Sequence, residues 1–269
     1  MPLTALVVTG HGINCETETH RVLEIVGFKR IDLAHLNFIV GGEVDLRSYN
    51  FIVFPGGFMD GDDLGAAQAC ANRIRHSKID GINLIDKLLG FVTRGGLILG
   101  ICNGFQLLAK LGLVPAFELA YLERDISLTA NDSGRFEDRW VNLAVDKSST
   151  CVFTNGLENL YLPVRHGEGK IVGRSSEVID TLVSSHQAVL YYTKPGEVSP
   201  TTEYPFNPNG SAHGVAGVCD PTGRIFGLMP HPECYLDKTN HPRWTREELA
   251  DEGGGLGIFK NAKRYIKES

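Results

Sequence analysis

The 269-residue sequence lacks features that would place it in a specialised class. Its six cysteines, at positions 15, 70, 102, 151, 219 and 234, form no C-x-x-C pair and no closely spaced series. This spacing favours reduced thiols over a disulfide framework. No block of like charges stands out, and the net charge is −6, so an electrostatic footprint for nucleic acid is not expected.

Long apolar segments are absent as well. No window approaches the roughly 18 continuous apolar residues of a membrane-spanning helix. Residues 1–4 lead directly into an apolar run without a basic segment, so we expect no secretion signal and a cytoplasmic protein. No linker or internal repeat divides the chain, and we therefore expect a single domain over residues 1–269.

Apolar runs alternate with helical spacing in the first half of the chain. The runs predict buried strands at 3–8, 31–33, 51–54 and 97–101, and the helical spacing predicts helices at 16–26, near 63–75 and at 81–93. Strands separated by helices imply crossover connections and a mostly parallel sheet with helices on both faces. Loops 10–14, 55–62 and 102–106 follow three of these strands. We expect them to meet at the carboxyl edge of the sheet.

The second half has shorter, strand-like segments between turns. Residues 119–162 predict antiparallel strands packed beside the parallel sheet, and 193–212 predict a long loop. Residues 213–219 and 224–228 predict a hairpin, and 257–267 predict a final helix. The expected fold is therefore α/β, with a small antiparallel extension.

The segment Leu97–Leu108 carries the strongest functional signal. It predicts a buried strand, a turn with Cys102 at its tip and a helix, with Gly100 and Gly104 at the spacing of a nucleophile elbow. Glycines are needed because Cβ atoms would collide where strand and helix close on each other. Since a helix N-terminus favours an anion, we expect a lowered pKa for the Cys102 thiol. The alternative is a buried structural cysteine, which the two glycines and the polar Asn103 argue against.

A cysteine nucleophile needs a base and a group that orients the base. His231 follows the predicted strand 224–228, at the same edge of the sheet as Cys102, and Glu233 lies two residues further on. Pro232 stiffens the intervening turn, so the carboxylate is able to hold one imidazole nitrogen and leave the other for sulfur. The pattern predicts a Cys-His-Glu triad. The alternative is that His231 is an ordinary surface-loop histidine, one of nine in the chain.

Acyl transfer also requires N–H donors for the developing oxyanion. The expected donors are the backbone at Asn103, directly after the nucleophile, and at Gly57, after the third predicted strand. The alternative for Gly57 is a plain strand-to-helix turn, and the two interpretations are compatible.

Other patterns that bear chemistry are weaker. Gly10-His11-Gly12 lacks the spacing and the Lys-Ser/Thr pair of a phosphate-binding loop. His166-Gly167-Glu168-Gly169 has no third ligand at metal-like spacing, so no metal site is predicted. The acidic run over 60–63 predicts a solvated helix start rather than a cation site.

Taken together, these segments resemble class I glutamine amidotransferases and, among them, the glutaminase subunits of phosphoribosylformylglycinamidine synthase. The resemblance covers about residues 5–265 and rests on segments 9–18, 54–64, 100–106, 133–137, 166–169, 207–211 and 229–233. It implies a flavodoxin-like fold and hydrolysis of glutamine to glutamate through a Cys102 thioester.

The same resemblance implies the substrate-binding residues. Gln106, Phe58 and the backbone near His166, Gly167 and Glu168 would hold glutamine, with Gly57 and Asn103 as the oxyanion donors.

The resemblance also implies a division of labour with a partner. Ammonia would pass to a large synthetase subunit that uses ATP to make formylglycinamidine ribonucleotide in de novo purine synthesis. A small third subunit usually bridges the two. No cofactor is implied in this chain, because ATP and Mg²⁺ belong to the synthetase. We also expect the site to be mis-set until the synthetase docks, through the mobile glycines at 56 and 57.

Some positions depart from the family pattern. Cys234 stands where the family usually has Arg, which puts an ion pair near the triad in doubt. Regions 65–94 and 236–257 are longer than in compact members, and the tail resembles the amidotransferase end of the large fused enzyme. The alternatives are an amidotransferase subunit for another synthetase, a γ-glutamyl hydrolase, or a non-catalytic flavodoxin-like regulatory subunit.

Overall fold

The computed structural model describes residues 2–269; Met1, where the predicted domain 1–269 begins, lies outside the described residues. The strands, in chain order, are β1 (Thr4–Thr9), β2 (Arg30–His35), β3 (Phe51–Phe54), β4 (Lys78–Ile79), β5 (Ile82–Asn83), β6 (Leu97–Ile101), β7 (Ile126–Ala130), β8 (Glu137–Val145), β9 (Asn159–His166), β10 (Glu168–Gly173), β11 (Ala188–Thr193), β12 (Val215–Cys219) and β13 (Ile225–Leu228). The α-helices are α1 (Glu16–Val26), α2 (Leu36–Val40), α3 (Gln68–His76), α4 (Leu84–Thr93), α5 (Asn103–Leu111), α6 (Ser176–Ser184) and α7 (Leu256–Glu268).

Within residues 2–269, nine strands form one sheet in the order β2-β1-β3-β6-β13-β12-β11-β8-β9. The five strands from β2 to β13 pair in parallel, and the pairs from β13 to β9 are antiparallel. The predicted α/β class is confirmed. The predicted antiparallel extension is also confirmed. Strands β8 and β9 continue the main sheet rather than packing beside it, because β12 folds back onto β13, and β11, β8 and β9 follow in order. A separate antiparallel pair joins β7 to β10.

Helices cover the parallel half of the sheet. Strands β3, β6 and β13 are buried at every residue, as is typical of strands with helices on both faces. Helix α1 packs on α7, while α3 contacts α4 and α5. Helix α5 approaches β13 closely, since a Cβ at Gly227 would lie 2.1 Å from the ring of the fully buried Phe105. This packing fixes the helix that follows Cys102 against the sheet.

The observed helix boundaries differ from the predicted ones by three residues or more at two N-termini. Helix α1 spans the predicted residues. It is capped by Gly27, whose φ of 91° is the left-handed conformation typical of the residue after a helix. Helix α3 begins at Gln68 rather than near 63, because Asp60, Gly61 and Gly65 all have positive φ and form a loop. The acidic run therefore lies in this loop and not at a helix start. Helix α4 begins three residues later than predicted, after the short β4–β5 hairpin.

In the part of the chain that the structure describes, none of the helices combines the length and the apolar character needed to cross a bilayer.

Candidate active site

Cys102 lies at the turn between β6 and α5 in a strained conformation. Its φ of 50° and ψ of −103° are unusual for a residue with a side chain, and it occupies the N-cap of α5. A Cβ at Gly100 would lie 2.6 Å from the carbonyl oxygen of Gly104, and a Cβ at Gly104 would lie 1.9 Å from that of Phe54. The predicted requirement for two glycines is confirmed by these contacts.

His231 reaches the same edge of the sheet because its strand is the parallel neighbour of β6. Leu228, the last residue of β13, pairs with Ile101, and the Cys102 N–H donates to the Leu228 carbonyl at 2.8 Å. Parallel neighbours end at one edge, so the residues that follow them converge. The His231 N–H donates to the Pro163 carbonyl on β9 at 2.8 Å, which fixes the backbone beside Cys102.

Glu233 orients the His231 ring. The 3-10 helix Pro232–Cys234 brings Glu233 Oε1 within 2.6 Å of His231 Nδ1. The two side chains are only 0% and 3% exposed, respectively. Across residues 2–269, His231 Nε2 has no hydrogen-bond partner. One ring nitrogen therefore faces the carboxylate while the other remains available, as the predicted triad requires.

The electrostatic balance at His231 favours the imidazolium. Burial opposes the charge, but the Glu233 carboxylate and the neighbouring thiols of Cys102, Cys15 and Cys234 outweigh it, so the pKa of His231 lies well above its ordinary value. The Cys102 thiol itself points to the Arg165 carbonyl oxygen, 3.6 Å away. An imidazolium beside a cysteine is the arrangement that stabilises a thiolate.

These groups open onto a cavity of about 370 Å³. It is lined by Asn14, Cys15, Gly57, Phe58, Asp62, Cys102, Gln106, Phe136, Arg165, His166, Gly167, Glu168 and His231. The three loops expected at the carboxyl edge of the sheet all contribute to this lining. The volume falls in the range of small-molecule sites.

The residues predicted to bind substrate, Gln106, Phe58, His166, Gly167 and Glu168, line this cavity, and hydrogen bonds fix the side chains of Gln106 and His166. Gln106 donates from Nε2 to the Glu168 carbonyl at 2.6 Å and accepts from Asn103 Nδ2 at 3.0 Å. His166 is buried with Nδ1 3.0 Å from Asn131 Oδ1. Burial and the neighbouring His231 lower the pKa of His166 to about 3, so it is neutral at physiological pH.

The predicted oxyanion donors sit on two elements that are tied together. Asn103 accepts from the Met59 N–H through Oδ1 at 3.1 Å, which joins the start of α5 to the loop after β3. Gly57 lies in that loop with φ of 144°, and a Cβ there would lie 2.6 Å from the Gly12 carbonyl oxygen. Only glycine fits so close a backbone approach.

Several cavity residues were not predicted. Cys15 lies on the other side of the ring from Nε2, with Sγ 3.9 Å from His231 Nδ1. Asp62 has Oδ1 buried without a partner among residues 2–269, and burial together with Glu168 and Asp63 raises the pKa of its carboxyl. Both residues lie in segments that carry the family resemblance and in loops that follow parallel strands, but these signals locate a loop and not its side chains.

Arg165 also escaped prediction and bears on the expectation for Cys234. Its Nη2 contacts the Cys234 sulfur. A guanidinium therefore lies beside the triad, but it comes from β9 and not from position 234, where the family usually has arginine. Nothing in its sequence position signalled this, because the contact depends on the pairing of β9 in the sheet.

A metal site was not predicted here. Over the described residues, one group with metal-like spacing is found: Cys15, His231 and Glu233, whose ligand atoms lie within 4.8 Å of one another. The hydrogen bond between His231 and Glu233 already engages two of these ligands. The absence of a metal stays a prediction.

The sequence is similar to those of known proteins over almost its whole length. Residues 3–266 match the model of the CobB/CobQ-like glutamine amidotransferase domain. A Dehalococcoides mccartyi protein named phosphoribosylformylglycinamidine synthase subunit PurQ is 45% identical, covering 98% of this chain and 97% of that protein. A Methanococcus maripaludis protein of the same name is 40% identical, covering 98% of this chain and 97% of that protein.

The fold is also similar to that of a solved structure. The chain is similar to one in the PurLQS structure from Thermotoga maritima, with 29% identity, a TM-score of 0.71 and coverage of 99% of this chain and 100% of that one. The resemblance to amidotransferase subunits of phosphoribosylformylglycinamidine synthase is confirmed by these relatives. The chain belongs to the CobB/CobQ-like glutamine amidotransferase family.

Proposed function

We propose that this chain hydrolyses glutamine to glutamate and ammonia and supplies the ammonia to the synthetase that makes formylglycinamidine ribonucleotide. The observation that carries the proposal is the placement of a strained cysteine at the start of α5, in one cavity with a His231–Glu233 pair. The names of the relatives support the choice of synthetase.

The chemistry follows from the arrangement of the groups. The Cys102 thiolate attacks the side-chain amide carbon of glutamine, and the N–H groups of Gly57 and Asn103 receive the developing oxyanion. His231 donates a proton to the leaving nitrogen, so ammonia departs and a thioester remains. His231 then takes a proton from water, which attacks the thioester and releases glutamate. Glu233 stabilises the imidazolium throughout.

Substrate recognition is proposed for the remaining cavity residues. Gln106, Phe58, His166, Gly167 and Glu168 surround the space in front of the sulfur. Hydrogen bonds with Asn103 and with the Glu168 carbonyl hold Gln106 in place before substrate binds. This preorganisation lowers the entropic cost of binding.

The proposal extends to the setting of the reaction. Residues 1–269 act as one amidotransferase domain without a cofactor, while a large synthetase subunit, joined through a small bridging subunit, uses ATP and Mg²⁺. The similarity to a chain of the Thermotoga maritima PurLQS structure supports a complex of this kind. A cytoplasmic location fits purine biosynthesis.

Covalent trapping tests the nucleophile. A diazoketone analogue of glutamine should label Cys102, as mapped by peptide mass spectrometry, and Cys102→Ala should remain unlabelled. Cys15→Ala is the matched control, because Cys15 lines the same cavity and its loss should leave the label in place. Labelling of Cys15 in the parent protein, with Cys102 untouched, would contradict the proposal.

Reconstitution tests the partner. Mixing the purified chain with candidate synthetases should confer glutamine-dependent activity on the formylglycinamide ribonucleotide synthetase alone. Activation of a different synthetase would favour the alternative amidotransferase, and the absence of glutaminase activity in any mixture would favour a regulatory subunit.

A further inference from the structure

The Glu233 carboxylate is buried, and one of its two oxygens is unpaired among the described residues. Its side chain is fully buried, and Oε1 is engaged with His231. Oε2 has no hydrogen-bond partner within the described chain. A carboxylate stripped of water in this way takes up a proton unless positive charge stands nearby. In the proposed reaction His231 gives up its proton to the leaving nitrogen, so its own positive charge is lost during part of the cycle. The triad therefore requires a source of positive charge beside Glu233 that does not depend on His231.

Arg165 is placed to supply that charge. It lies on β9, and among the described residues that line the cavity it is the only lysine or arginine. Its Nη2 donates to the sulfur of Cys234, the residue directly after Glu233. The guanidinium therefore contacts the 3-10 helix Pro232–Cys234, which carries the Glu233 carboxylate. The backbone of Arg165 is held in place by its pairing with Asp138 in the sheet.

We propose that Arg165 is a positioning residue for the triad: its guanidinium, bound to Cys234, offsets the negative charge of the buried Glu233 side chain, so that Glu233 holds the ring of His231 toward Cys102. The inference rests on the proposed function, because it takes Cys102, His231 and Glu233 in their proposed roles. The contact that the guanidinium makes is with Cys234, which is not one of the reacting residues.

The charges around Arg165 agree with this role. Burial opposes its charge, but Cys234, Cys15 and Glu233 outweigh burial and raise the pKa of Arg165 above its ordinary value. The other titratable groups that interact with His231 are Cys102, from the start of α5, and His166, from β9. Neither is a lysine or arginine, so neither replaces the permanent charge of Arg165.

Replacement of Arg165 by Met separates positioning from substrate binding. We expect kcat to fall by about 10- to 100-fold, less than the roughly 10⁴-fold loss caused by disabling the orienting carboxylate of a related triad. KM for glutamine should change little. The acid limb of the kcat/KM pH profile should move to higher pH, since removal of a cation raises the pKa of each acid near it. Arg165→Lys, which keeps the charge without the planar fork, should retain most of the activity.

A swap of the two contacting residues tests the same idea from the opposite side. Arg165→Cys combined with Cys234→Arg keeps a guanidinium and a thiol in the same space but exchanges their attachment points. The double variant should recover activity and the parental acid limb relative to Arg165→Cys alone. Arg243→Met is the control, because Arg243 also contacts β9, through Tyr161, but lies outside the cavity lining.

Two results would overturn the inference. One is an Arg165→Met variant that folds and has a raised KM with kcat and the acid limb unchanged, which would make Arg165 a substrate contact. The other is a swap variant that is folded by circular dichroism but no more active than Arg165→Cys. Labelling of Cys102 in the parent protein separates these outcomes from a failure of the proposed function, since that failure would remove the label.

Discussion

The buried His166 gives a stability prediction whose size follows from the structure. Asn131 Nδ2 donates to the carbonyls of Arg135 and His166 at 2.9 and 2.8 Å, so Asn131 Oδ1 is an acceptor. His166 Nδ1 must therefore carry the hydrogen that Oδ1 accepts at 3.0 Å. The unprotonated Nε2 is buried and has no partner within residues 2–269. Protonation would thus place a charge where nothing receives it.

The pH dependence follows from the sign of this shift. Burial, followed by the charge of His231, lowers the pKa of His166 to about 3 in the folded chain. The contribution of the neutral His166 to the free energy of unfolding is present in full above the unfolded pKa, near 6.5. It is lost as the pH falls toward the folded pKa, near 3. At pH 5, about 1.5 units below the unfolded pKa, this histidine is protonated in the unfolded chain but still neutral in the folded chain. At about 1.4 kcal/mol per unit, this is a loss of about 2 kcal/mol.

The assay is urea unfolding of the parent chain and His166→Asn at pH 7.5 and 5.0. Asparagine places an N–H near the position of Nδ1 and does not ionise, so its packing cost is similar at both pH values. The parent should lose about 2 kcal/mol more than the variant between the two pH values. His76→Asn, at an exposed position, controls for the loss of one imidazole. Equal losses for parent and His166→Asn would refute the claim that His166 is held neutral.

Three further changes probe the catalytic geometry. Glu233→Gln should lower kcat by about 10³- to 10⁴-fold in glutaminase assays while far-UV circular dichroism stays unchanged, because the orienting carboxylate is lost. Gly56→Ala should lower kcat with little change in Tm, since its Cβ would lie 2.6 Å from His231 Cε1; Gly254→Ala, whose nearest contact is 3.4 Å, should not. Gln106→Met should raise KM for glutamine by about tenfold in steady-state kinetics, the value of one neutral hydrogen bond; an unchanged KM would contradict its proposed contact with substrate.

The parts of the site that could be predicted are those fixed by local chemistry. The elbow at Cys102 was predictable because Gly100 and Gly104 are required by contacts within one strand–turn–helix unit. His231 was predictable because it follows a short apolar strand, and parallel strands bring their carboxyl ends to one edge. Neither inference needs the order of the strands in the sheet.

The parts that escaped prediction depend on long-range pairing. Arg165 reaches Cys234 only because β9 closes the far edge of the nine-stranded sheet formed by residues 2–269. Cys15 faces the imidazole because the loop before α1 bridges to Gly57. Helix α6 and strand β11 were also missed. Side-chain type gives no indication of such neighbours, since each contact joins segments far apart in the chain.

The loop that carries Gly57 bears on the expectation that the site is mis-set before a partner docks. The Phe58 N–H donates to the Gly12 carbonyl at 2.7 Å, and the Asp60 N–H donates to that of His11 at 2.8 Å. The Met59 N–H is bound to the side chain that begins α5. Three consecutive donors fasten the loop to two other elements, so Gly57 is not a free hinge. A synthetase that resets the oxyanion donors must therefore move loops 10–14 and 55–62 as one body, because movement of either alone breaks the backbone hydrogen bonds between them.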